Sequence, residues 1–417
     1  MLACDKKIYV YVLNKHGKPL MPCSPRKARI LLKEGKAKVV RVIPFTIQLL
    51  YGSSGYRQKV YAGRDRGLTQ GIAAVREDGE VLFLAEVTGR KDISELMYER
   101  ASLRRHRRYR KTPYRPCRGD NRKREEGWLP PSEDHLWYEH RKTRELVESI
   151  LPVTEWAEEI NKFDTHKMAN PDVEGKGYQE GPLKGRKNYR EYVLERDSYR
   201  CVLCREPEGL EVHHIVWRFR GGSDRPKNLV TLCKNCHDKL TRGEIEIHEI
   251  VESYRWPARL NALNSRFNQL EGLKIPAYSV KEARTKLGLE KAHSHDALAL
   301  IYAAFGIVPK RISSKVFRGR FVRLKNRQLH RAKPGKGGKR AKAQANRYLI
   351  SKSGTRFSRY DLVTCSFNGR KVTGYINTLR SSGAVRVADW QGKELVNITV
   401  NKLKKLQNAD TIIWEVM

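Results

Sequence analysis

Residues 191–240 read EYVLERDSYRCVLCREPEGLEVHHIVWRFRGGSDRPKNLVTLCKNCHDKL. Two Cys-x-x-Cys pairs, Cys201/Cys204 and Cys233/Cys236, bracket a His-His pair and an Asn, and a further His follows the last Cys. Each pair can chelate from one tight turn, so four thiolates at this spacing suit a tetrahedral Zn²⁺. The plainer alternative is two pairs of ordinary buried cysteines. Between the knuckles, Leu210-Glu211-Val212 reads as a strand running into His213-His214. Gly221-Gly222 opens a loop, and Asn228-Leu229-Val230 is expected to lead into a helix that starts near Cys233 and carries His237.

This stretch resembles the HNH nuclease motif, a ββα fold around one catalytic metal. The resemblance implies that His214 is the general base that activates water and that His213 and His237 are ligands of a divalent metal such as Mg²⁺. It implies that Asn228 pins the loop holding the base. The chemistry is consistent, because a neutral imidazole can take a proton near pH 7. A hard cation can stabilise charge building on a phosphate. A structural zinc module with incidental histidines is the alternative.

Of 417 residues, Lys and Arg number 84 against 46 Asp and Glu, a net charge of +38. Such an excess repels itself and calls for a polyanion, nucleic acid above all. A membrane surface is the other candidate, but the longest apolar run, Ala297–Val308, is too short to span a bilayer. Met1–Lys7 leads straight into the strand-like Ile8–Leu13 and shows no secretory pattern. Cys4, Cys23, Cys117 and Cys365 are scattered, which fits a reducing compartment. The expected location is cytoplasmic, nucleoid-associated when on DNA.

Along the chain, residues 1–52 alternate as a small β-rich module, with a basic helix over Arg26–Glu34 opened by Ser24-Pro25. Lys59–Gly63, Gly71–Val75 and Glu80–Val87 read as three strands, with an Asp78-Gly79 hairpin and Asp65 at the end of the first. From Ile93 a helix leads into a basic run in which Arg104, Arg105, Arg107, Arg108, Arg110 and Lys111 crowd together. That density destabilises an isolated helix, so a phosphate backbone beside it is the better reading than a solvated face. Glu133–Ile150 reads as helix, Val153–Phe163 as strand or short helix, and Arg255–Leu270 as amphipathic or irregular. Ile275–Val280 is a candidate strand. His293 and Asp296 lie three apart on one face of an apolar helix. A stretch rich in Lys and Arg, without acidic residues, follows to Arg347, and strands over Leu362–Phe367, Gly369–Asn377, Ala384–Ala388 and Ile398–Leu403 suggest a small β domain.

Taken together, Asp65, the HNH stretch and the His293-Ser-His-Asp-Ala297 run resemble the IscB family of transposon-encoded RNA-guided nucleases. Pro19-Leu-Met-Pro22, the arginine-rich helix, the Lys162–Pro171 run and Lys336-Gly337-Gly338 also match that family. The resemblance implies a multidomain α/β protein: an RNase H-like (RuvC) core split by a bridge helix and an inserted zinc-stabilised HNH domain, with a β-rich C-terminal domain. The implied divisions are an N-terminal domain (1–55), RuvC-like parts (56–90, 129–186, 246–310), a bridge helix (91–128) and an HNH domain (187–245). A basic segment (311–350) and a C-terminal domain that interacts with a target-adjacent motif (351–417) complete the chain. Asp65, Glu159 and Asp296 are then the RuvC-like carboxylates for Mg²⁺, and His293 assists the attacking water. Glu155 and Glu158 compete with Glu159 for the second place. Arg64 and Arg66 depart from the family by flanking Asp65 with charge.

The implied partners are a non-coding guide RNA and double-stranded DNA, with a monomeric protein working in a ribonucleoprotein. The alternatives are a protein-only HNH endonuclease of the homing or restriction type and a nuclease-silent RNA-binding scaffold. The arginine-rich helix gives a direct test. Replacing Arg104, Arg105, Arg107 and Arg108 together with Ala should weaken RNA binding and flatten its dependence on salt, the slope falling by about 0.7–0.9 for each phosphate no longer neutralised. Filter binding across a salt series measures it, and an unchanged slope assigns these arginines to solvent.

Overall fold

The computed structural model describes residues 8–108, 125–160, 174, 188–217, 222, 224–247, 255–310, 316–324 and 348–416. Arg110, Lys111, the Lys162–Pro171 run and Lys336–Gly338 lie outside them. The chain divides into two compact units, one of residues 1–90, 134–160 and 266–417 and one of residues 91–133 and 161–265.

In chain order the elements are β1 (Tyr11–Leu13), α1 (Pro25–Lys33), β2 (Ala37–Arg41), β3 (Thr46–Leu49), β4 (Val60–Asp65), β5 (Thr69–Arg76) and β6 (Val81–Thr88). Then come α2 (Ile93–Arg108), α3 (Pro131–Ile150), β7 (Glu155–Ile160), α4 (Tyr189–Arg196), β8 (Leu210–His214), β9 (Leu229–Cys233) and α5 (Lys234–Arg242). Next are α6 (Arg255–Asn268), β10 (Leu273–Pro276), α7 (Ala277–Lys286), α8 (His293–Phe305) and β11 (Phe317–Phe321). The chain closes with β12 (Tyr348–Ile350), β13 (Arg356–Ser358), β14 (Leu362–Phe367), β15 (Arg370–Leu379), β16 (Ala384–Ala388), β17 (Glu394–Thr399), β18 (Lys404–Gln407) and β19 (Ile412–Trp414).

Several boundaries differ from those the sequence suggests. Val153–Phe163 is strand over Glu155–Ile160, and Arg255–Asn268 is a regular helix. The strand expected over Ile275–Val280 stops at Pro276, which has no N–H to extend the ladder and stands as the N-cap of α7. The helix expected near Cys233 starts at Lys234, and Leu229–Cys233 before it is the strand β9. Ile398–Leu403 is broken at Thr399, and β18 follows.

The first unit begins with the order β1-β3-β2 and α1 packed on it. Ser24 Oγ accepts from Lys27 N at 3.3 Å, and Pro25 follows with its preset φ, so the helix starts where the sequence signals it. The main sheet has the order β10-β7-β4-β5-β6-β11-β19. Its centre is an antiparallel meander, β4–β5–β6, and β7 joins β4 in parallel, as β10 joins β7. The C-terminal strands form a second sheet, β17-β16-β15-β14-β18, around Val363, Ile376, Val385 and Val387. The final strand leaves that module. β19 edges the main sheet beside β11, and Tyr375 Oη donates to Trp414 O and accepts from Trp414 N, both at 2.9 Å.

Alternation along the strands sorts the main sheet into two faces. Val60, Ala62, Ile72, Ala74 and Trp156 meet Leu146, Val147 and Ile150 of α3. Ala73, Val75, Leu84 and Ala157 meet α8, whose run Ala297–Ile301 is fully buried. A helix apolar on all sides belongs inside, and each large aliphatic side chain buried there contributes about 1.5–3 kcal/mol. α8 lies close because β4 and β5 carry glycines beneath it. A Cβ on Gly63 would come within 2.2 Å of Ala297 O, and one on Gly71 within 1.7 Å of His293 O.

On the α3 face the sheet buries charge. Arg64 Nε and Nη2 donate to Glu158 Oε2 at 3.0 and 2.7 Å, Arg66 Nε donates at 3.3 Å, and Arg144 reaches Oε1 at 3.5 Å. Arg64 Nη1 also donates to the His140 carbonyl. The guanidinium of Arg66 lies 4.1 Å from the Phe267 ring centroid, and burial pulls its pKa down to about 10. Burial, with Arg64 and Arg66 nearby, drives His140 well below its ordinary pKa, so it is neutral. Burial pushes Glu158 upward, but the charges of Arg64 and Arg66 outweigh it and hold the carboxyl below its ordinary value.

Glu158→Gln should therefore strand buried arginines and cost about 3–5 kcal/mol, read from the urea midpoint of the full chain. The lowered pKa fixes the sign with pH: the contribution is present above the ordinary glutamate range and is lost as pH falls through the folded value. A loss under about 1 kcal/mol would show that water already satisfies the cluster.

Candidate metal centre and active sites

In the second unit, the sulfurs of Cys201, Cys204, Cys233 and Cys236 all lie within 4.8 Å of one another, and those of Cys204 and Cys233 are 3.5 Å apart. Tetrahedral zinc at a Zn–S distance of about 2.3 Å requires sulfur–sulfur edges of about 3.8 Å, so the four cysteines fit a zinc ion. Each knuckle is built locally. The first closes with Arg205 N donating to Cys201 O at 2.9 Å, Arg205 taking φ +63°. In the second, Cys233 ends β9 as the N-cap of α5, and Cys236 sits on the first turn. Around them the apolar core is small: Cys201, Val230, Leu232 and Cys233, with Val202, Leu210 and Leu240 at its margin.

The histidines stand on the same frame. β8 and β9 are antiparallel, with His213 opposite Val230 and His214 opposite Leu229. The His213 and His237 rings are 4.9 Å apart at their centroids. His213 Nε2 is buried and finds no hydrogen-bond partner among the described residues, an orphaned lone pair of the kind a cation would satisfy. Burial first, then the neighbouring His237 and His214, lower the His213 pKa, which keeps the ring neutral and able to ligate. His237 Nδ1 lies 3.3 Å from Glu211 Oε2, an arrangement that leaves Nε2 as the ligand atom. His214 Nε2 lies 2.7 Å from Asp224 Oδ1, so Nδ1 is the ring atom left to face a water. Asn228 is fully buried. It accepts from Val216 N at 2.8 Å and donates to Val216 O at 3.0 Å, and its own carbonyl accepts from Ile215 N at 2.9 Å. Three bonds from one residue tie down the chain that leaves His214.

Glu211 and Asp224 were not among the residues singled out from sequence. Glu211 stands two before His213 on a strand, hence on its face, which is a signal the sequence does contain. Asp224 follows a Gly-Gly loop and carries no comparable mark.

In the first unit, Asp65 ends β4, and Asp65 Oδ2 accepts from His293 Nδ1 at 2.6 Å. Asp65 draws the His293 pKa upward. The register pairs Arg64 with Glu158, so alternation puts Asp65 and Glu159 together on the α8 face while Glu158 serves the arginines opposite. Glu155, at the start of β7, is exposed. Asp296 sits on the first turn of α8 and accepts from Arg284 Nη1 at 2.6 Å. Burial raises the Asp296 pKa, Arg284 opposes this, and the charge of Asp65 adds to it. Asp65, Glu159 and Asp296 do not draw together as closely as the cysteines, which among the described residues are the one such set. Asp65 and Asp296 are already engaged, by His293 and Arg284 respectively. The residue types suit hard cations, but Arg284 had no sequence signal.

Comparison with known proteins gives matches to family models and to a curated protein. The family model described as RRXRR protein matches residues 10–181, and that of HNH endonuclease matches residues 201–243. A 70-residue segment, 16% of the chain, is 36% identical to anaredoxin of Nostoc sp. (strain PCC 7120 / SAG 25.82 / UTEX 2576) and covers 91% of that protein, so segment and anaredoxin are of one family. Residues 201–243 thus form an HNH endonuclease domain, and together with the RRXRR match they support a nuclease of the IscB type.

The metal centre should be decisive for the second unit, because so small a core depends on its ion to fold. Metal analysis of the pure chain should find about one zinc per molecule, and Cys201→Ser with Cys233→Ser should abolish it and open residues 191–240 to limited proteolysis. A chain that holds no zinc yet resists protease there would show that the knuckles are closed by packing alone.

Proposed function

We propose that this chain, which carries an HNH endonuclease domain and an RRXRR segment, is an RNA-guided DNA endonuclease with two active sites. The observation that carries the proposal is the HNH constellation: a His213 nitrogen without a partner among the described residues, the His237 ring 4.9 Å from that of His213, His214 held by Asp224, and four clustered cysteines. The excess of 38 positive charges supports a nucleic-acid partner. No described helix is long and apolar enough to cross a membrane.

At the HNH site, His214 takes the proton of the attacking water at Nδ1, and Asp224 steadies the imidazolium that forms. Asn228 keeps the His214 backbone from drifting as charge moves. A divalent cation held by His213 and His237 would supply electrostatic stabilisation at the scissile phosphate. The meander β4–β5–β6, with two parallel strands added beyond β4, supports an RNase H-like reading of the first unit. There Asp65, Glu159 and Asp296 would hold divalent cations such as Mg²⁺, which would stabilise charge at the scissile phosphate, and His293 orients or deprotonates water beside Asp65. Sequence is read by pairing of a guide RNA with one DNA strand, so the protein supplies backbone contacts and recognises a short motif beside the target, the latter through the C-terminal β domain. HNH cuts the guide-paired strand and the RNase H-like site cuts the displaced one.

The two sites make this testable by single substitutions. RNA that co-purifies with the full chain is sequenced, and a supercoiled plasmid carrying the matching target is supplied with Mg²⁺. Loss of a general base costs about 10²–10⁴ in rate. His214→Ala should therefore nick only the displaced strand and Asp65→Ala only the guide-paired strand, and the double variant should bind without cutting. If no RNA co-purifies and the protein alone cleaves at fixed sequences, a protein-only HNH endonuclease replaces this reading. Full double-strand breaks by Asp65→Ala would remove Asp65 from the chemistry.

A further inference from the structure

We infer that Glu86 is a positioning residue for the RNase H-like site, acting as a cap supplied from the sheet for the N-terminus of α8. The inference rests on the second active site proposed above. α8 opens at Ala292, whose side chain can make no capping bond, and its first turn carries both His293 and Asp296. The first amides of a helix have no partner within it. Here one is satisfied from outside: Glu86 Oε1 accepts from Ser294 N at 3.1 Å and from Ser294 Oγ at 3.0 Å. Ser294 is buried, so no water would replace these bonds. The carboxylate also lies where the helix dipole favours negative charge.

The register shows why this interaction sets the site. Asp65 pairs with Gly71, and Gly71 pairs with Glu86, so the three occupy one row across β4, β5 and β6. The backbone of His293 rests on Gly71, the middle of that row, where any Cβ would collide with it. Asp65 holds the His293 side chain at one end of the row, and Glu86 holds the Ser294 amide at the other. The first turn of α8 is thus located by two carboxylates with an empty seat between them. Glu86 stands two strands from Asp65, and the helix end fills the gap, so Glu86 acts through the helix and not on the phosphate.

The test uses the full chain with its co-purifying RNA and a matching duplex whose strands carry different labels, so the HNH site reports as an internal control. Glu86→Ala should slow cleavage of the displaced strand roughly 10–100-fold, the scale of a displacement near 1 Å, and leave the guide-paired strand unchanged. Hydrogen exchange of residues 293–297 should quicken in the same variant. Glu86→Gln keeps an oxygen that accepts both bonds and should restore rate and protection together. The inference is overturned if Glu86→Gln is as impaired as Glu86→Ala, which would make Glu86 a metal ligand. It is equally overturned if Glu86→Ala changes neither rate nor exchange, or if both strands slow together with a lower melting temperature. Should Asp65→Ala leave displaced-strand cleavage intact, the active-site reading fails by itself, and the exchange of residues 293–297 still decides whether Glu86 holds α8.

Discussion

Arg64 and Glu158 face one another across the parallel pair β4–β7 with both side chains wholly buried and 2.7 Å between their charged atoms. A buried ion pair is a poor source of net stability, since desolvation offsets most of the attraction, yet breaking it is costly. Its effect is to fix register. A slip that set Ala157 opposite Arg64 would leave Arg64 and Arg66 facing α3 without that carboxylate, and one that set Glu159 there would turn Trp156 away from the α3 core. The pairing therefore also determines which acids reach the other face. With Arg64 and Glu158 joined, Asp65 and Glu159 point together toward α8. The two arginines flanking Asp65 thus have a structural use.

The HNH unit solves a different problem with little hydrophobic material. Among the described residues its central cluster holds four buried apolar or cysteine side chains, too few to fix two strands and a helix by burial alone. A zinc ion on the four cysteines would supply the remaining order by holding the turn after α4 to the start of α5. Polar ties complete the frame. Asp197 Oδ2 accepts from Thr231 N at 2.9 Å, and Arg196 donates to the Pro226 and Leu229 carbonyls at 2.8 and 2.9 Å. Rigidity of this kind matters because His213, His214 and His237 come from a strand and a helix that only the folded unit brings together.

The two proposed sites also differ in readiness. The histidines of the HNH site are oriented by acids, Glu211 on His237 and Asp224 on His214, so their rings are already directed. In the RNase H-like site, His293 and Arg284 engage Asp65 and Asp296. Cations entering there would displace existing partners, whereas at His213 one would satisfy a nitrogen that has none among the described residues. Metal affinity at the RNase H-like site would accordingly be coupled to the release of side-chain pairs.

Short-range chemistry was legible from the sequence alone. Cys-x-x-Cys spacing specifies a turn that chelates, Ser24-Pro25 specifies a helix start, and alternation specifies the meander with Asp65 at the end of its first strand. These depend on residues a few positions apart, where backbone geometry leaves few options. Choosing among Glu155, Glu158 and Glu159 was not a local matter, because it turns on which residue of β7 stands opposite Arg64. Asp224, Glu86 and Arg284 were equally hidden: an isolated acid or arginine has no periodicity, and each takes its role from a partner 10 to 208 positions away. β19 belongs to the same class, since only the packing of Trp414 against Tyr375 and β11 draws it out of the C-terminal module. The sequence determined which chemical groups the chain carries and the turns that present them. Tertiary structure decided which face each group occupies and which counter-charge it meets, because both follow from strand register and burial across long separations.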